Sequence, residues 1–239
     1  MTAIRILKNG GQTCCFDPSL APDFTPDYFS VDYWQHRHAI TGQSHGRGIT
    51  WFIQHQTAHW VLRHYWRGGL IGRYVQDQFC FTRLNLTRSF AEFNLLHKLV
   101  EDELPVPRPV AARVVRQGLF YKADILIERI PGAEDLVQLL KRDALPRDTW
   151  QQIGQVLAQF HQAGVYHSDL NAHNILRDTS GKIWVIDFDK GNIRRPGRWQ
   201  AKNLARLYRS LQKESALHPL FHWQSDDWQN LLVAYQAYR

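Results

Sequence analysis

Cysteine is scarce in this chain. Cys14, Cys15 and Cys80 are all it has, an odd number with no metal-ligand spacing, which argues against a disulfide framework and suits a reducing compartment. No apolar run approaches the roughly 20 residues that a membrane-spanning helix needs. The opening segment from Met1 to Gly11 lacks a signal peptide's longer apolar core, so a cytoplasmic location is expected. Repeats and low-complexity tracts are missing too. Twelve histidines are present, but the densest pair, His36 and His38, has no second ligand pair at a suitable spacing, so zinc is not expected.

What is present describes a folded chain. Its 239 residues are 44% apolar and 13% aromatic, enough for one large domain or two small lobes, each with a core. The formal net charge is +7, which implies an anionic partner: nucleic acid, an anionic membrane surface or a phosphorylated substrate. The charge is spread along the chain, with no basic arm and no recognition motif, so nucleic acid is not expected as the partner. Nine tryptophans are read mostly as core or groove residues.

The densest chemistry lies in Tyr166-His167-Ser168-Asp169-Leu170-Asn171-Ala172-His173-Asn174, followed thirteen positions later by Asp187 in Val185-Ile186-Asp187-Phe188-Asp189. This reads as H-x-D-L-x-x-x-N and then an apolar strand ending in Asp-Phe. It resembles the catalytic and metal loops of the protein-kinase-like phosphotransferases. In that pattern Asp169 orients the acceptor hydroxyl and takes its proton. Asn174 and Asp187 supply hard oxygen ligands to Mg²⁺, and His167 braces the loop. Two short strands around a Thr179-Ser180-Gly181 turn would bring Asn174 and Asp187 to one end of a hairpin.

Upstream, Pro26 follows Thr25 as the first residue of a short helix running through Trp34. A glycine loop from Gly42 to Gly48 then precedes an antiparallel pair, Ile49–Gln54 and His59–Tyr65, as at the start of a kinase N-lobe. Gly46 and Gly48 would let backbone N–H groups approach ATP phosphates. Thr87–Leu99 has helical spacing of apolar residues and carries Glu92. Strands are expected over 110–116 and 119–130, with Gly118 as their turn. Pro131-Gly132 marks the lobe boundary. Helices are expected over 135–141, 147–163, 199–212 and 226–238.

The catalytic loop, the glycine loop with Thr50-Trp51-Phe52, and Gly197-Arg198-Trp199 with Asn203-Leu204-Ala205-Arg206-Leu207 resemble the bacterial lipopolysaccharide kinases. The nearest are those acting on 3-deoxy-D-manno-octulosonic acid (Kdo). The resemblance covers about residues 42 to 212. It implies an α+β, protein-kinase-like bilobal fold: an antiparallel-sheet N-lobe with one long helix (1–131) and a compact, mostly helical C-lobe (132–239). It also implies an ATP-dependent transferase that phosphorylates a Kdo hydroxyl on a lipid A precursor in lipopolysaccharide core biosynthesis. The enzyme would work peripherally at the cytoplasmic face of the inner membrane, on an anionic surface and without an obligate protein partner. Lys190, Arg194, Arg195 and Arg198 follow the metal loop and would face the anionic acceptor, or form a solvated basic loop.

Three features depart from the protein-kinase pattern. Asp189 stands where the metal-loop triplet has glycine. Arg63 stands where the N-lobe lysine is expected; it would pair with Glu92 and bridge phosphate oxygens through its planar fork. About fifty residues follow Asp189, with no Ala-Pro-Glu segment, which favours a small or lipid-linked acceptor over a peptide. Two other readings stay open: a compact atypical protein kinase, and a nucleotide-binding pseudokinase scaffold, the latter kept alive by Arg63.

Overall fold

Alternation of side chains along the strands gives the first half of the chain two apolar layers, one on each face of a single sheet. The computed structural model describes residues 3–45, 48–67 and 77–238. Gly46 and Arg47, which belong to the expected glycine loop, lie outside the described residues. The strands are β1 (Arg5–Asn9), β2 (Gln12–Phe16), β3 (Ile40–His45), β4 (Ile49–His55), β5 (Ala58–His64), β6 (Phe79–Cys80), β7 (Pro109–Gln117) and β8 (Phe120–Glu128). Their order is β1-β2-β7-β8-β5-β4-β3, with β6 paired to β8, and every pairing is antiparallel.

Trp60 and Leu62 of β5 point to one face. There they join Tyr28, Phe29 and Trp34 in a buried aromatic layer formed by a 3-10 turn (Pro26–Phe29) and the short helix α1 (Val31–His36). The expected single helix is therefore broken at Ser30, whose extended backbone and side-chain oxygen cap α1. Arg63 and Tyr65 point to the other face, towards the long helix α2 (Arg88–Glu101).

Two expectations change here. The sequence Gly42-Gln43-Ser44-His45, expected to be loop, is strand: Gly42 pairs with Phe52 and His45 with Ile49, so the turn shrinks to the residues just before Ile49. The hairpin β1–β2 had no apolar alternation to announce it, because every residue of β1 is exposed.

The chain divides into two units, Met1–Lys98 with Pro107–Arg129, and Leu99–Val106 with Ile130–Arg239. The second is mostly helical: α3 (Leu136–Arg142), α4 (Arg147–Gln162), α5 (Arg198–Leu217) and α6 (Ser225–Ala237). Five short strands accompany them: β9 (Glu134–Asp135), β10 (Val165–Tyr166), β11 (Ile175–Arg177), β12 (Ile183–Val185) and β13 (Asn192–Ile193). The α+β class expected from the sequence is the class observed. Gly154 lets α6 lie directly against α4, since a Cβ there would come within 2.2 Å of the Leu231 carbonyl oxygen. Gly164, at φ +73°, stops the chain after α4 and turns it into β10.

The β11–β12 hairpin is closed by one carboxylate. Asp178 Oδ1 accepts from Ser180 N (2.9 Å), Ser180 Oγ (2.6 Å) and Lys182 N (3.0 Å), while Oδ2 accepts from Trp184 Nε1 (2.8 Å). Burial pushes the Asp178 pKa up, but these donors outweigh it and hold it at about 2, below the ordinary 3.8. A depressed pKa stabilises the fold above about pH 3.8 and loses that contribution as pH falls towards 2. Asp178→Ala should therefore cost about 1–3 kcal/mol near neutral pH. In urea melts the gap to the parent protein should narrow steadily below about pH 4. A gap unchanged in acid would show that the carboxylate's charge is not what closes the turn.

Candidate functional site

The second unit gathers His167, Asp169, Asn174 and Asp187 by backbone means. Residues 166–174 leave β10 and pass through a 3-10 turn, Ala172–Asn174, into β11. Because Ile175 pairs with Val185, and Ile186 N donates to Asn174 O at 3.0 Å, Asn174 and Asp187 sit just past the same end of the hairpin. The sequence anticipated that placement from the spacing alone. Asp187 has φ +64° and Lys190 φ +60°, left-handed conformations that cluster where a site over-determines its backbone.

His167 is 3% exposed and works as a brace. Its Nδ1 accepts from Asp169 N at 3.1 Å, which leaves Nε2 to donate to Ile186 O at 2.9 Å. Burial lowers its pKa, so the ring stays neutral in the tautomer those two bonds select. Phe188 meets the ring edge-on, 4.8 Å between centroids. The Asp169 carbonyl receives Asn174 Nδ2 at 2.9 Å and Asn171 Nδ2 at 3.1 Å. This turns the Asn174 amide so that its Oδ1 accepts from no described group. Among the described residues there is no group of three or more His, Cys, Asp or Glu that could hold a metal ion.

Helix α5 supplies residues the sequence reading did not place in the site. Arg206 Nε donates to Asp169 Oδ1 at 2.8 Å, and Nη2 donates to the same oxygen. Asp169 Oδ2 is thus left with no described donor. Asn203 clasps His167, Nδ2 to its carbonyl at 2.7 Å and Oδ1 from its N–H at 3.3 Å. One turn further, Ser210 Oγ accepts from Ala172 N at 3.1 Å. Positions 203, 206 and 210 are three and four apart, one helical face, and that polar stripe beside buried Leu207 and Leu211 was the available signal. His173, within ion-pairing range of Asp135 (3.6 Å) and Glu214 (3.5 Å), has its pKa raised chiefly by Asp135.

The basic residues Lys190, Arg194, Arg195 and Arg198 are all exposed. Arg194 lays its guanidinium on the Tyr166 ring, 3.4 Å from the centroid, with Nε donating to Asn192 Oδ1 at 2.7 Å. The Arg195 carbonyl accepts from Trp199 Nε1 at 2.7 Å, and Arg198 opens α5. Lys190 stands in its left-handed turn just after Asp189.

In the first unit, Arg63 and Glu92 meet as the sequence anticipated. Arg63 Nη2 donates to Glu92 Oε1 at 2.5 Å and Tyr65 Oη to Oε2 at 2.6 Å, with the Glu92 side chain 1% exposed. Burial and the Glu92 charge push the Tyr65 pKa well up, so the phenol remains a donor. Arg88 stacks over Tyr65 and donates Nη1 to Trp66 O at 3.2 Å. Gly48 follows the turn before β4, and the Trp66 indole fills the space a side chain there would need, 2.0 Å from a would-be Cβ.

Comparison with known proteins points one way. The profile of the lipopolysaccharide kinase (Kdo/WaaP) family matches residues 31–235. The 3-deoxy-D-manno-octulosonic acid kinase of Vibrio parahaemolyticus serotype O3:K6 is 46% identical over 231 residues, covering 97% of each chain. Its counterpart in Photobacterium damsela subsp. piscicida is 43% identical over 227 residues, 95% of this chain and 94% of that one. The Vibrio cholerae serotype O1 protein of the same name is 42% identical over 211 residues, 88% and 90% of the two chains.

Proposed function

Because this chain belongs to the lipopolysaccharide kinase (Kdo/WaaP) family, a protein-kinase-like family, we propose that it transfers the γ-phosphoryl group of ATP to a hydroxyl of a Kdo sugar on a lipid A precursor. The observation that carries the reading is the convergence of Asp169, Asn174 and Asp187 around one loop and one hairpin end. The names of relatives at 42–46% identity support the acceptor.

In this reading residues 1–131 hold the nucleotide and 132–239 hold the acceptor and the metal loop. Asp169 Oδ2, left open by the end-on approach of Arg206, takes the proton as the acceptor oxygen bonds to phosphorus and the bond to the ADP oxygen breaks. Arg206 keeps the carboxylate in one rotamer, and α5 holds the loop beneath it. Arg63, oriented by Glu92, and the backbone around Gly46 and Gly48 steady the phosphates. Lys190, Arg194, Arg195 and Arg198 face the acceptor's anionic groups, with Arg194 shared with Tyr166.

The donor set fits Mg²⁺. Asn174 Oδ1 and the Asp187 carboxylate are hard oxygens, and with no denser cage among the described residues the ion would complete its shell from phosphate and water oxygens. Bound there, Mg²⁺ would neutralise charge on the phosphates. Among the described residues no helix is long and apolar enough to cross a membrane, so the protein would reach a lipid-linked acceptor by peripheral contact with the cytoplasmic face of the inner membrane.

The test is ATP- and Mg²⁺-dependent transfer to a Kdo-bearing lipid A precursor beside the same lipid without Kdo. One phosphate gained only by the Kdo-bearing lipid is the expected result. ATP turnover or binding with neither lipid modified would discard the acceptor and keep the kinase chemistry.

A further inference from the structure

The first unit carries an amphipathic surface that the phosphotransfer site does not use. Two turns project from the same end of the sheet. Gly10-Gly11 joins β1 to β2, and Gly118-Leu119 joins β7 to β8 beside it, because Gln12 pairs with Val115 and Arg116 N donates to Gly11 O at 2.9 Å. The segment after β6 closes the group, Phe81 N donating to Leu119 O at 2.9 Å. Beside these turns lies an open depression of about 460 Å³ lined by Lys8, Arg116, Phe81 and Leu84 among others.

Exposed apolar side chains stand beside it: Leu119, 76% exposed, in the turn whose carbonyl receives Phe81 N; Leu86, 67%, two residues after Leu84; and Ile6, 61%, on the Lys8 face of β1. Singly exposed apolar residues are ordinary, but a group gathered around one depression marks an interaction surface. Cations surround it. Arg116 is held by the Gly118 carbonyl (3.0 Å) and over the Phe81 ring (4.5 Å). Among the described residues neither it nor Lys8 or Arg83 meets a carboxylate.

We infer that this sheet end is where the protein docks on an anionic phospholipid bilayer, Lys8 and Arg116 taking headgroup phosphates while Leu119 and Leu86 enter the interface. Apolar side chains flanked by unpaired cations are the composition that binds such interfaces. A second copy of the chain is a poorer fit. Pairing through edge strand β1 would bring Arg5 and Lys8 of both copies together, and flanking charge of this kind blocks edge-to-edge pairing. By register Gly48, just before β4, is at this same end of the sheet: Thr50 aligns through Arg63 and Ile125 with Ala112, and β7–β8 continue about five residues beyond. The inference draws its purpose from the lipid-linked acceptor, but its binding step is measured without any acceptor.

The experiment is co-sedimentation of the full chain with phosphatidylcholine vesicles, with and without phosphatidylglycerol, across a salt series. Binding should require phosphatidylglycerol and weaken with salt. At about fivefold per cation, Lys8→Gln with Arg116→Gln should bind about 25-fold more weakly. Leu119→Ser with Leu86→Ser should also weaken binding, with thermal stability unchanged in both. Transfer to detergent-dispersed acceptor should be unaffected, which separates this inference from the proposed function. Wild-type binding by the charge variant, equal binding to neutral vesicles, or no binding at low salt would each overturn it.

Discussion

Asp169→Asn should leave the protein folded and able to bind ATP while lowering kcat about 10²–10⁴-fold, the usual cost of removing a positioned base. Asparagine keeps the shape of the side chain, and its amide oxygen can still accept from Arg206. What it loses is an atom able to take the acceptor proton. The loop itself should stand, because its bracing runs through the Asp169 backbone, N–H to His167 and carbonyl to Asn171 and Asn174. Nucleotide affinity by calorimetry and the melting temperature should therefore move little as turnover collapses. Turnover close to that of the parent protein would remove Asp169 from the reaction and leave the scaffold reading standing.

The largest stability effect is expected at Glu92. Its buried carboxylate accepts from Arg63 and from Tyr65, and both donors are left without that acceptor in Glu92→Leu. Breaking a buried ion pair from one side costs about 3–5 kcal/mol, which for a chain of this size lowers the melting temperature by about 6–20 °C. Replacing both partners, Arg63→Met with Glu92→Leu, should restore much of that loss, since neither half of the ion pair is then left buried without the other. Recovered stability without recovered transfer would tie the ion pair to nucleotide handling. If the single variant melts like the parent, the pair is not holding α2 to the sheet.

The parts of this protein that were legible in its sequence are those whose partners lie nearby in the chain. His167, Asp169 and Asn174 fall within eight residues, and the hairpin that carries the chain on to Asp187 announces itself by Ile175-Leu176 and Ile183-Trp184-Val185 on either side of a Thr179-Ser180-Gly181 turn. The Arg63–Glu92 pair spans 29 positions and was reachable only through the family pattern. Arg206 lies in a stretch that resembles the family, but its contact with Asp169 spans 37 positions, and only the polar stripe of its helix hinted at it. The β1–β2 hairpin was missed for a different reason: an edge strand exposed on both sides has no buried face to impose a period. In β3 the polar residues and Gly42 read as loop, yet the ladder to β4 supplies hydrogen bonds that their side chains do not advertise.

The contact at Gly154 also says something about the order in which the molecule can be made. Helix α4 hands the chain to the loop bearing Asp169, and the backbone it leans on there belongs to α6, synthesised long afterwards. Until α6 emerges from the ribosome, α4 presents an uncovered apolar flank, the kind of surface that chaperones hold and that aggregates form on. The sheet unit has all its strands by Glu128 and is free to fold earlier. Helix α4, which leads into the loop bearing Asp169, thus gains that support only after α6 has been made.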